Sequence, residues 1–154
     1  MIRYVLAALI AVALIAISMP AIERGAEMNS ERQLDATLAE IDDAATSLAA
    51  NEELTPADHP DPQRVVEYSF PRSTLTTAGV DHVELEPHEN GSYTHARYVL
   101  ESGLTREMVI DEKIVWDDPT GNETTELGGT NDQRLQLVLL PDEDGDPIVV
   151  ARDV

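Results

Sequence analysis

The chain has 154 residues, with 30 acidic side chains against 10 arginines and lysines, a formal net charge of −20 and no cysteine. Such a surface repels nucleic acid, and the missing thiols exclude disulfide staples and thiolate chemistry. Lys113 is the only lysine, and residues 51–154 hold 23 acids and 7 bases, net −16, a salt-adapted composition in which concentrated cations screen self-repulsion.

The chain opens on its most apolar stretch. From Val5 to Met19 there is no charge and a single polar residue, Ser18, and Met1, Ile2, Tyr4, Pro20, Ala21 and Ile22 extend the run. As a helix, Met1 to Ile22 would span about 33 Å, close to the hydrocarbon thickness of a bilayer. A cleaved signal peptide and a buried core helix are the competing readings. Small residues fall badly for cleavage, since Met19 lies two residues before Ala21 and Arg24 two before Ala26. The retained anchor is therefore preferred. Tyr4 suits a membrane interface, and Arg3 with the amino terminus places the N-terminus in the cytoplasm and the rest outside.

Past Pro20 the chain becomes amphipathic. Leu34, Leu38, Ile41, Ala45 and Leu48 recur at intervals of four and three, a helical stripe opposed by Glu31, Arg32, Asp35, Glu40, Asp42 and Asp43. The stripe packs either on its own domain or against sister helices. Pro20 could kink the passage, and Gly25 or Asn29 with Ser30 could break it. The helix should end near Ala50 or Asn51, ahead of Pro56, Pro60 and Pro62.

From Gln63 the period becomes two. Strands are expected over 64–70, 80–86, 93–100, 107–116, 134–140 and 148–152. Asn90-Gly91 signals a type I′ hairpin, setting His88 against Tyr93, Glu86 against His95 and Glu84 against Arg97. The other face then carries Val83, Leu85, Ala96, Tyr98 and Leu100, so the register separates apolar from ion-paired positions. A second hairpin crosses Pro141 to Pro147, with Leu135, Leu137 and Leu139 inward. Between the hairpins, residues 117–133 form a long polar loop, either a flexible excursion or a functional one. The expected fold is α+β: residues 1–22 a transmembrane anchor, 23–51 an amphipathic stalk helix, 52–62 a proline-rich linker and 63–154 an antiparallel β head.

Several residue groups invite chemistry. His82, Glu84, Glu86 and His88 alternate on one strand face with His95 opposite, and imidazole with carboxylate suits a transition metal. Strung over about 20 Å of strand, however, they form a row and do not converge, which fits a salt-bridged face better. Asp142, Asp144 and Asp146 resemble a calcium loop, but Gly145 stands fourth and Asp153 twelfth, where an EF-hand has glycine sixth and glutamate twelfth. Asn90-Gly91-Ser92 and Asn122-Glu123-Thr124 are glycosylation sequons. Nothing places a nucleophile beside a base, and no phosphate-cradling or zinc-binding motif occurs. No catalytic, metal-ligating or cofactor-binding residue is assigned, and an enzyme is not expected.

An apolar N-terminal helix running into an amphipathic stalk and a small β-rich head resembles type IV pilin-like and pseudopilin-like proteins. That likeness covers mainly the first 50 residues, and it departs from the family at Val5, where prepilins usually carry a glutamate. The Met1-Ile2-Arg3-Tyr4 start, the alanine-rich run to Met19-Pro20-Ala21 and the closing Arg134-Leu135-Gln136-Leu137 hairpin also look like a small uncharacterised haloarchaeal membrane protein family. The pilin resemblance implies a structural component of a surface or secretion apparatus, held in the lipid bilayer through Met1 to Ile22. Ala7, Ala8, Ala11 and Ala13 would then allow close approach to partner helices. The alternative is a surface-tethered binding or accessory module that engages an envelope partner through the 117–133 loop.

Overall fold

The computed structural model describes residues 2–56 and 58–153. Met1 of the expected anchor, Ala57 of the expected linker and Val154 of the expected head lie outside them. A single helix, α1 (Ile2–Asn51), is followed by eight strands: β1 (Gln63–Tyr68), β2 (Val80–Pro87), β3 (Thr94–Leu100), β4 (Thr105–Ile110), β5 (Ile114–Trp116), β6 (Thr125–Leu127), β7 (Gln133–Pro141) and β8 (Pro147–Asp153). The class is α+β, with one sheet ordered β1-β7-β8-β5 and the other β4-β3-β2-β6.

Helix α1 is unbroken. Pro20 sits inside it, and neither Gly25 nor Asn29 and Ser30 interrupt it. At about 1.5 Å per residue it is about 75 Å long. Residues 2–25 are exposed, whereas Leu34, Leu38, Ile41, Ala45 and Leu48 are completely buried. The stripe packs on its own head: it shares one core with Val66 and Tyr68 of β1, Leu135, Leu137 and Leu139 of β7, Ala151 of β8, and Leu85 and Tyr98 of the second sheet. The first half of the helix is thus free of the head and the second half is part of it.

The β2–β3 hairpin has the expected register, with Glu84 opposite Arg97, Glu86 opposite His95 and Val83, Leu85, Ala96 and Tyr98 inward. Its turn differs from expectation. Neither Asn90 nor Gly91 has positive φ, so the turn is not type I′. Residues 89–92 form a wider four-residue loop, closed by the His88 N–H donating to the Tyr93 carbonyl at 3.0 Å. The β7–β8 hairpin turns at Pro141 and Pro147 as read, with Leu135, Leu137 and Leu139 buried. Gly145, at φ 86°, supplies the left-handed residue of that turn.

Two strand assignments are corrected. The stretch 107–116, read as one strand, is two strands in different sheets. Buried Thr94 holds the crossover: its hydroxyl donates to the Glu112 carbonyl at 2.9 Å and accepts the Ile114 N–H at 2.8 Å. The Asp111 N–H meanwhile donates to Asp42 Oδ1 on α1. The resulting β5 runs parallel to β8, so the head is not wholly antiparallel. The second correction is β6, which pairs with β2 in the middle of the 117–133 stretch read as an unstructured polar loop and buries Thr125 and Leu127. The expected linker is also tied down, with Glu52 paired to Arg64 at 2.7 Å and Leu54 packed against the core.

Candidate functional site

The exposed half of α1 is the largest chemical anomaly of the molecule. Ile2, Val5, Leu9, Ile15 and Ile17 are each more than half exposed, and from Tyr4 to Ile22 there is no charge. Large apolar side chains around the whole circumference of a helix have no place in water. Among the described residues α1 is the one helix long and apolar enough to cross a membrane.

Just beyond this segment, polar side chains fasten the helix to the connection between β1 and β2. Asn29 Nδ2 donates to the Thr76 carbonyl at 3.1 Å, Ser30 Oγ donates to the Ala78 carbonyl at 2.8 Å, and the Ala78 N–H donates to the Ala26 carbonyl at 3.3 Å. Asn29 and Ser30, which read as possible helix breakers, serve instead as clamps. Farther along, Glu31 pairs with Arg106 of β4 at 3.2 Å, and Asp35 accepts the Tyr98 hydroxyl. The apolar segment and the head are therefore joined through one continuous helix.

The histidine and glutamate row on β2 and β3 is an ion-pair face. Glu84 is the buried centre: it accepts from His82 Nε2 at 2.8 Å and from the Arg97 guanidinium. Burial pushes the Glu84 carboxyl up, but the bonds from His82 and Arg97 outweigh it and hold the pKa below the usual range. His88 stacks on Tyr93 with ring centroids 4.6 Å apart, and His95 meets the Tyr93 ring edge-on at 5.2 Å. Among the described residues no group of three His, Asp or Glu side chains has the geometry to hold a metal ion.

The acidic turn is held by its own backbone. Asp142 Oδ1 accepts the N–H groups of Asp144 and Asp146, both at 2.9 Å, and the Asp142 N–H donates to the Asp146 carbonyl. One carboxylate oxygen is thus committed to the turn. Asn90 and Asn122 are both exposed, and Asn122 Nδ2 reaches the Pro87 carbonyl at 3.5 Å, at the same end of β2 as Asn90. The start of β2 lies beside Ala26 and Ser30, and Ala49 shares a surface cleft with Gly91. Both sequons therefore lie at the end of the head farthest from the apolar half of α1.

Sequence patterning did not single out the β1–β2 connection, although a signal was present: from Ser73 to Val80 there is no charged residue, in a chain that is 26% charged.

An exposed apolar helix half, continued without a break into a small two-sheet head, defines the class: an α+β protein with a candidate membrane span. The chain belongs to the family described as Domain of unknown function (DUF7311), whose model matches residues 1–154. No curated protein and no solved structure matches it.

Proposed function

We propose that the protein is a membrane-anchored, pilin-like structural component of a surface or secretion assembly, with its N-terminus cytoplasmic, its head outside and no catalytic role. The observation that carries this reading is the continuity of α1 from an exposed apolar half into the core of the head. A tethered receptor or enzyme needs only an anchor and a flexible leash. A rod fused into its head fixes the head's position relative to neighbouring rods, which is what an assembly of subunits requires. The amphipathic stripe is consumed by the head, so contacts between subunits fall to the first half of the helix, where Ala7, Ala8, Ala11 and Ala13 let backbones approach closely. Exposed sequons at the far end of the head agree with an outward location.

The alternative is a surface-tethered binding or accessory module that engages an envelope partner through the 117–133 loop, whose middle strand β6 is paired to β2. Cysteine cross-linking separates the two. In native membranes, Ala8→Cys or Ala11→Cys should give homo- or heterodimers. Chains that remain monomeric at both positions under oxidation would overturn the assembly reading and leave the tethered module.

A further inference from the structure

We infer that the β1–β2 connection is a second membrane contact, in which Leu75 inserts into the bilayer interface beside the emerging helix and sets the tilt of the head. This rests on the membrane-anchor reading above and adds to it the surface on which the head lies.

Leu75 is 84% exposed, as much as Ile2 in the apolar helix half. It is not on a loose loop. Thr74 Oγ1 accepts the N–H groups of Thr76 and Thr77, and the Thr77 hydroxyl donates to the Arg72 carbonyl at 2.7 Å. The Thr74 N–H donates to the Thr77 carbonyl at 2.8 Å, closing a tight turn with Leu75 at its tip. The clamps from Asn29 and Ser30 then fix this turn against α1. A large apolar residue is thus held out of the protein by a rigid frame.

Its position identifies what covers it. A groove of about 360 Å³ between the turn and the helix is lined by Leu75 together with Met19 and Ile22, the last apolar turn before Glu23. Leu75 therefore stands level with the end of the span and continues its apolar surface. The carboxylates lining the same groove are Glu23 and Glu27, one and two turns past Met19, and Glu101, which lies against Gly79. Along the helix the groove thus passes from apolar to acidic, as a bilayer interface passes from acyl chain to water. The absence of charge from Ser73 to Val80 means that no ionised side chain of this segment has to be desolvated for Leu75 to insert.

The cysteine-free chain makes the test direct. Leu75→Cys, Ala11→Cys and Asn90→Cys full-length variants are nitroxide-labelled and reconstituted in phosphatidylcholine vesicles in concentrated KCl. Collision with oxygen, which favours bilayer, is compared with collision with a water-soluble nickel chelate. The expected oxygen-to-nickel ratio at 75 is several-fold above that at 90 and approaches that at 11. A ratio at 75 equal to that at 90, with 11 high, overturns the insertion and leaves the anchor standing. A label at 75 shielded from both reagents overturns it in favour of a protein partner. A low ratio at 11 fells the anchor and the insertion together.

Discussion

The hydroxyl of Tyr98 on β3 donates to Asp35 Oδ1 on α1, 3.0 Å away and 63 residues earlier in the chain. Tyr98 is one of the largest fully buried side chains, so a tyrosine from the second sheet passes through the core to hold the polar flank of the helix. Burial, the bond to Asp35 and the charges of Asp35 and Glu31 all disfavour the phenolate, raising this pKa well above the ordinary tyrosine value, with Arg106 opposing.

Tyr98→Phe should cost about 1 kcal/mol, because exposed Asp35 regains water when it loses its partner. It should also change the alkaline limb of stability. A raised folded pKa gives stability that is present below about pH 10 and lost as pH rises toward the folded value. Denaturant titrations across that range should therefore fall more steeply for the parent chain than for the variant. Tyr68, also raised by burial and by Asp153, leaves a residual slope in both. Equal alkaline slopes in the two chains would show that Tyr98 is not held in its buried, Asp35-bonded position in solution.

The buried stripe makes a prediction about domain boundaries. Leu34, Leu38, Ile41, Ala45 and Leu48 belong to the head's core, so a truncation beginning at Glu52 lacks one wall of that core. It should lack near-ultraviolet circular dichroism and bind hydrophobic dyes, while a truncation beginning at Ala26 folds cooperatively in water. Within the longer piece, Leu38→Ala should cost about 2–5 kcal/mol by chemical denaturation. A cooperative unfolding transition in the shorter piece would mean that the helix merely decorates the head.

How much of this was legible depends on the range of the signal. The helix stripe and its end at Asn51 were readable from local period and from the prolines beyond, but period alone does not say which surface the stripe meets. The β2–β3 register was readable because pairing His88 with Tyr93 sets the pairs behind it as far as His82 and Val99, whatever the turn, beyond which an irregularity shifts Val80 to Leu100. The turn type was not readable, since a four-residue loop and a two-residue turn both serve that register. The break at Asp111 and Glu112 depends on Thr94, 18 residues away from Glu112 in sequence, and the parallel β5–β8 pair joins segments still farther apart. Three-residue β6 carries too short an alternation to stand out. Leu75 was invisible as a site because an isolated leucine in a polar loop gains meaning only from the helix turn beside it.

Glu84 predicts the acid limb. Its folded pKa is depressed, so the unfolded chain binds the proton first as pH falls. Its contribution is present above the ordinary glutamate value, about 4.3, and is lost as pH drops through the lower folded value. Glu84→Gln should flatten the dependence of unfolding free energy on pH between about 5 and 3. Arg97→Gln should shrink the same slope, because it removes one of the bonds that depress the pKa. Slopes unchanged in both variants would place the acid sensitivity elsewhere in the chain.

Charge density sets the last prediction. Residues 51–154 carry 23 acids and 7 bases, and most of them lie on the surface. The ion pairs of the head, such as Arg134 with Glu67 at 2.9 Å, use basic side chains that the acids outnumber threefold. The remaining carboxylates repel one another over the small head, and only mobile cations offset that. The Debye length falls from about 10 Å at 0.1 M salt to about 3 Å at 1 M, so repulsion between exposed carboxylates is increasingly screened over that range. The thermal midpoint of the water-soluble piece beginning at Ala26 should therefore climb steeply with KCl over that range. Glu143→Lys with Asp144→Lys, both at exposed turn positions, should raise the low-salt midpoint and shallow the climb. An uncharged osmolyte at matched water activity separates screening from general exclusion effects, which stabilise any compact chain. If sucrose reproduces the KCl response, or if the double variant climbs as steeply as the parent, carboxylate repulsion does not limit this fold and the salt-adapted reading of its composition fails.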